Sequence, residues 1–104
     1  MTVIPYVSAG RSETGLVRAR NEDSMLLDHD GALWIVFDGM GGHENGAAAS
    51  RMAAMAFDAE PLPALFDPAI EGFAERIHAA NAQIRAAAAA QGGITMGTTA
   101  VGLI

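Results

Sequence analysis

The sequence predicts an α+β domain: an antiparallel hairpin, then two helices, then a closing strand. Three observations carry this reading. An Asp-Gly pair, Asp30-Gly31, stands between two apolar runs, a pattern that favours a tight hairpin turn. From Glu44 onward, apolar residues recur with the helical period of about 3.6 residues. The last ten positions return to β-branched residues interrupted by glycine.

Taken in order, residues 2–9 read as a short first strand, and Pro5 places it at a sheet edge because proline cannot donate to a ladder. Residues 10–21 form a polar loop punctuated by Gly10, Ser12, Thr14 and Gly15. The hairpin joins residues 24–28 to residues 32–37 around His29-Asp30-Gly31. Residues 44–60 form a helix whose expected core stripe is Ala48, Met52, Met55 and Ala59. Pro61 and Pro63 end it. Asp67 is the expected N-cap of a second helix, with Pro68 in its first turn and Ile70, Phe73, Ile77 and Ile84 along its apolar face. The alanines from Ala86 to Ala90 favour helix and close packing, and Gly92-Gly93 supplies the stop. Residues 95–104 form the final strand, which leaves one face of the sheet without an evident cover.

Composition narrows the function. At 104 residues the chain is one domain or part of one, and just over half of it is apolar, ample for a core. No apolar run nears the ~20 residues of a spanning helix, and no membrane contact is expected. Met1-Thr2-Val3-Ile4-Pro5 lacks the basic start and long apolar stretch of a secretory leader. Cysteine is absent, which excludes disulfides and thiolate metal sites and fits a cytoplasmic protein. A formal charge of −6 argues against nucleic acid as a partner. The six basic residues are all arginine.

The chemistry concentrates in two segments. Trp34-Ile35-Val36-Phe37 has the make-up of a buried strand and runs directly into Asp38-Gly39-Met40-Gly41-Gly42-His43. A carboxylate at such a strand end is costly unless a positive charge compensates it, and a bound cation is the natural compensator. The hairpin brings Glu22 and Asp23, just before one strand, beside Asp38, just after its partner. Carboxylates without cysteine suit hard cations such as Mg²⁺ or Mn²⁺. Two such ions ~3.5–4 Å apart can share a carboxylate and activate water toward a phosphoryl group. An arginine at the rim suits phosphate oxygens; Arg20 reads as an ordinary loop charge. These residue types are compatible with metal-assisted hydrolysis of a phosphate ester, and equally with other metal chemistry.

Three segments narrow the choice: Gly15-Leu16-Val17-Arg18-Ala19-Arg20-Asn21-Glu22-Asp23-Ser24, Phe37-Asp38-Gly39-Met40-Gly41-Gly42-His43 and Met96-Gly97-Thr98-Thr99-Ala100. In order and spacing they resemble the first three motifs of the metal-dependent protein phosphatases, the PPM or type 2C family, in its bacterial form. The resemblance implies an α/β (α+β) sandwich of antiparallel β-sheets flanked by antiparallel helices. It implies hydrolysis of phosphoserine and phosphothreonine in proteins by a metal-activated water, with two divalent cations, Mn²⁺ or Mg²⁺. It further implies that Asp38 bridges the metals, that Glu22 and the carbonyl of Gly39 bind one of them, and that Asp23 holds a water of the metal's shell. Arg18 would bind the substrate phosphate. Met40 stands where some eukaryotic members carry a histidine proposed as general acid, and a thioether cannot fill that role. Thr98 and Thr99 would hold the strand near the site.

The family also draws two metal-binding aspartates from motifs further downstream. After Asp38 this sequence has only Asp58 and Asp67, both at expected helix ends. Residues 1–104 therefore read as the N-terminal part of a single phosphatase catalytic domain, with a non-catalytic phosphatase-like binding or regulatory module as the alternative. Other readings are weaker. An aspartyl-nucleophile phosphatase needs a second acid at the place of Met40, and a chain without lysine has no P-loop. Asp28-His29-Asp30-Gly31 opens like a calcium loop but lacks the later ligands. His43 reads as a helix-start residue.

Overall fold

The computed structural model describes residues 7–16, 20–28, 33–42, 44–59 and 61–104. Two strands, β1 (Asp23–Asp28) and β2 (Leu33–Gly41), pair antiparallel, with Asp23 opposite Asp38 and Asp28 opposite Leu33. Two helices follow, α1 (Asn45–Asp58) and α2 (Phe66–Ala90), and then two short strands, β3 (Met96–Thr98) and β4 (Val101–Leu103). All four strands join one antiparallel sheet with β2 at its centre, as the α+β expectation required. The expected turn at His29-Asp30-Gly31 lies outside the described residues, as do residues 2–6 of the first strand expected over residues 2–9; residues 7–9 are not in a strand.

Two strand expectations need correction. β2 does not stop before Asp38 but continues to Gly41. It can do so because β3 supplies a second partner, pairing Gly39 with Thr98 and Gly41 with Met96. The expected last strand is two strands, both paired to β2: β4 lies against Trp34–Val36, β3 against Gly39–Gly41. Their register is one continuous ladder interrupted only opposite Phe37 and Asp38.

The pleat alternates along β2. Leu33, Ile35 and Phe37 are buried toward the helices, whereas Val36, Asp38 and Met40 face the other way and are exposed. Phe37 meets Phe57 of α1 with ring centroids 5.9 Å apart, and Phe57 meets Phe73 of α2 at 4.9 Å. This tilted aromatic stack, with Ala49, Ala53, Ala80 and Ile84, forms the core. The opposite face is exposed at Val36, Val101 and Leu103, while the segment around Gly10 lies against Met25 and Leu27.

The expected stripe of α1 holds only in part: Met52 packs against the core and Ala48 is half-buried, but Met55 and Ala59 are exposed, and the fully buried face lies beside them. Gly46, Ala49, Ser50, Ala53 and Phe57 are buried, whereas Met55 is 66% exposed. Both stripes obey the same helical period, and in so alanine-rich a helix periodicity alone does not choose between them. Close approach to the sheet selects the face with the small residues, and Phe57 fills the remaining space. In α2 the stripe holds at Phe73, Ile77 and Ile84, but Ile70 is 46% exposed and Ala69 is buried in its place. Leu65 rather than Asp67 occupies the N-cap position, without a side-chain capping bond, and the helix starts at Phe66, which puts Asp67 in its first turn. Pro68 still falls within the first turn, where its missing N–H breaks no intrahelical bond.

The C-terminal turns of the two helices find partners in different ways. Arg76 Nη1 donates to the Phe57 carbonyl at 2.9 Å, tying a cation from α2 to the C-terminal turn of α1. Gly92 and Gly93 adopt φ of 84° and 79°, and the Gly93 N–H closes α2 on the Ala88 carbonyl at 3.0 Å.

Two truncations distinguish the stripes. Phe57→Ala is expected to cost about 3–5 kcal/mol in urea unfolding, the range for a large buried aromatic. Met55→Ala is expected to stay within about 0.5 kcal/mol of the parent, as an exposed position should.

Candidate functional site

The site grows out of the place where the β1–β2 ladder ends. Asp23 and Asp38 are the last facing pair, and beyond them the Gly39 N–H donates to the Glu22 carbonyl at 3.0 Å. Two like charges directly opposite on a strand pair repel, and a divalent cation held between them would relieve that repulsion. Asn21 shapes the start of β1: its Oδ1 accepts from the Asp23 N–H at 3.0 Å, and its Nδ2 donates to Ser12 Oγ at 2.7 Å. This side-chain turn over two residues is legible in sequence, since asparagine favours it.

On the other edge of β2, Asp38 is held by Thr99. The Thr99 N–H donates to the Asp38 carbonyl at 2.9 Å, and the Asp38 N–H donates to Thr99 Oγ1 at 3.1 Å. A regular antiparallel pair would use the Thr99 carbonyl for the second bond. Here that carbonyl accepts from Thr98 Oγ1 at 2.9 Å, and the hydroxyl of Thr99 substitutes for it. The exchange explains why the closing strand breaks at this point. It also fits the expectation that Thr98 and Thr99 hold the strand near the site.

Below the sheet, α1 approaches so closely that a side chain on Gly39 would strike the carbonyl of Gly46. Ser24 Oγ lies 2.9 Å from Ser50 Oγ, and the fully buried Ser50 donates to the Ala47 carbonyl at 3.2 Å. This pair stitches β1 to the first turns of α1. Sequence reasoning did not single out Ser24, Ser50 or Gly46, because nothing local distinguishes them from ordinary helix and strand residues.

Glu22, Asp23, Asp38 and Gly39 line one recess of about 260 Å³, together with Glu13, Thr14, Arg20 and Asn21. The carboxylates enter it from two sides. Asp23 and Asp38 stand on the open face of the sheet, whereas the Glu22 carboxylate lies toward α1, against Gly46. Among the described residues no three acidic or histidine side chains stand close enough to hold a metal ion together. The donors fit a hard divalent cation in kind, all of them oxygen, and fall short of a full set in number. Arg18 and His43 lie outside the described residues. Met40 is exposed at the end of β2. A second recess, against Asp38 and Thr99, is lined by Arg11 and Glu13, which form an ion pair.

No family model matches the chain, and no curated protein does. Solved structures do. The fold is similar to that of PppA, described as a key regulatory component of T6SS in Pseudomonas aeruginosa, with a TM-score of 0.82 and 31% identity, covering 89% of this chain and 40% of that one. It is similar to the serine/threonine phosphatase PstP/Ppp of Mycobacterium tuberculosis, with a TM-score of 0.74 and 33% identity, covering 90% and 40%. A third match is the catalytic domain of the serine threonine protein phosphatase PstP in complex with two manganese ions, with a TM-score of 0.74 and 34% identity, covering 90% and 40%. These neighbours are PPM-type serine/threonine phosphatases, and the chain has the fold of their N-terminal portion. It spans about 40% of their length. Among the described residues no helix is long and apolar enough to cross a membrane.

The Thr99 hydroxyl is separable from its bulk. Thr99→Val, which keeps the shape and removes the acceptor, is expected to cost about 1 kcal/mol and to speed hydrogen exchange at the Asp38 amide. Thr99→Ser keeps the acceptor and should leave that amide protected.

Proposed function

We propose that residues 1–104 are the N-terminal part of a single PPM-type catalytic domain, and that the whole protein hydrolyses phosphoserine and phosphothreonine in phosphorylated protein substrates. The observation that carries this reading is the Asp23–Asp38 pair closing the hairpin beside Glu22 and Gly39. The similarity of fold to PstP, whose catalytic domain holds two manganese ions, adds support. A role in signalling and a cytoplasmic location belong to the same reading; the lack of cysteine agrees with the latter.

In this reading the cofactors are two divalent cations, Mn²⁺ or Mg²⁺. Asp38 would contact both, while Glu22 and the Gly39 carbonyl would complete this chain's share of one. The ions supply the positive charge that lowers the pKa of water and neutralises phosphoryl oxygens. Asp23 has a supporting role, orienting water beside Asp38. Arg18 would grip the substrate phosphate by two parallel charge-assisted hydrogen bonds. Thr99 fixes the backbone from which Asp38 projects, on both its N–H and its carbonyl. Met40 offers no proton, so the leaving group would take one from water or another group.

One observation favours the second reading, a phosphatase-like module that binds without catalysis. The acidic groups of this chain, among the described residues, do not assemble into a set of three. Both readings predict that the 104-residue chain alone releases little phosphate from a phosphopeptide with Mn²⁺. They part on the metal. The catalytic-domain reading expects weak Mn²⁺ binding, measured by electron paramagnetic resonance, that falls at least about tenfold in Asp38→Asn, consistent with loss of a direct ligand. Mn²⁺ binding that is unchanged in Asp38→Asn would refute that assignment. Robust turnover by the 104-residue chain, lost in Asp38→Asn, would show that it needs no further ligands.

A further inference from the structure

Gly46 is the second residue of α1, and the carboxylate of Glu22 lies where its side chain would be. A Cβ built on Gly46 would overlap Glu22 Oε2, approach Glu22 Cδ to 2.7 Å and lie 3.0 Å from the backbone nitrogen of Met40. The contact is reciprocal at the level of the backbone. A Cβ on Gly39 would overlap the Gly46 carbonyl and come within 2.5 Å of the Glu22 carbonyl. The Gly39 N–H is already bonded to that Glu22 carbonyl at 3.0 Å. Glu22, Gly39 and Gly46 therefore meet at one point, where the approach to β1, the end of β2 and the first turn of α1 touch without intervening side chains.

Conformation does not require glycine at 46. It is a helical residue, and its φ is not among the positive values found at Gly15, Gly41, Gly92 and Gly93. In a helix, glycine is less favourable than alanine by roughly 0.5–1 kcal/mol. The reason for glycine must be space, and the atoms that need the space are those of Glu22. We propose that Gly46 is a positioning residue: its missing side chain forms the floor on which the Glu22 carboxylate rests and so fixes where that carboxylate enters the recess beside Gly39 and Asp38. The part of this proposal that concerns metal rests on the reading of Glu22 as a ligand; the part that concerns contact does not.

The two parts are tested in one set of variants of the 104-residue chain: Gly46→Ala, Glu22→Ala, Glu22→Asp, and each Glu22 change combined with Gly46→Ala. Thermal unfolding reads the contact. Gly46→Ala is expected to lower Tm by about 4–8 °C, the shift expected for a modest packing loss in a domain of this size, although alanine is the better helix former. In the Glu22→Ala background most of that loss should vanish, because only the closer approach to Met40 N remains. Glu22→Asp, one methylene shorter, should restore part of the Tm of Gly46→Ala. Mn²⁺ binding reads the consequence for the site. Gly46→Ala should weaken it several-fold, and Glu22→Asp should not rescue it, because the shortened carboxylate no longer reaches.

A Tm for Gly46→Ala equal to or above the parent overturns the proposal. So does an equal Tm loss whether residue 22 is glutamate or alanine. Energetic coupling between positions 22 and 46, with Mn²⁺ binding indifferent to Glu22→Ala, upholds the contact and removes Glu22 from the proposed metal ligands.

Discussion

β2 is paired on both edges, and the two ladders change over at the same residue. β1 begins opposite Asp38, while the β3–β4 side is interrupted opposite Phe37 and Asp38. The Asp38 backbone is left with one regular bond and one to a threonine hydroxyl. A carboxylate is thereby fixed at the mouth of a hairpin, within a strand rather than on a loose loop. Rigid placement is what a group that must meet a ligand at a set distance requires.

The pleat does the second part of the work. Phe37 and Asp38 are neighbours in sequence but face opposite sides, so one anchors the core against Phe57 while the other faces the open side. A shift of one residue in register would exchange them, burying the charge and exposing the ring. The same alternation separates Glu22 from Asp23. The former turns toward α1 and Gly46, and the latter stands beside Asp38. The recess is thus built from both sides of the sheet's end, and the small residues of α1 let the helix come near enough to form its wall.

The opposite face of the sheet is apolar and open at Val36, Val101 and Leu103. The chain spans about 40% of the length of its structural neighbours.

The hairpin, both helices and the strand character of the last residues were legible in the sequence, because each depends on local signals: Asp-Gly, helical spacing, paired glycines, β-branching. So was the meeting of Asp23 with Asp38, since antiparallel pairing makes the two ends of a hairpin neighbours; the expected convergence of all three carboxylates was not met, because Glu22 turns its carboxylate toward α1 and Gly46. What tertiary structure alone decided is which of two equally periodic faces of α1 is buried, how far β2 runs, and where the closing strand breaks. Each depends on a partner remote in sequence. β2 reaches Gly41 because β3 pairs with it, Ala49 and Ala53 are buried because the sheet comes close, and Gly46 must be bare because Glu22 arrives from another segment. Local propensity fixes what a segment can become; which of its faces and ends is used is set by the atoms it meets.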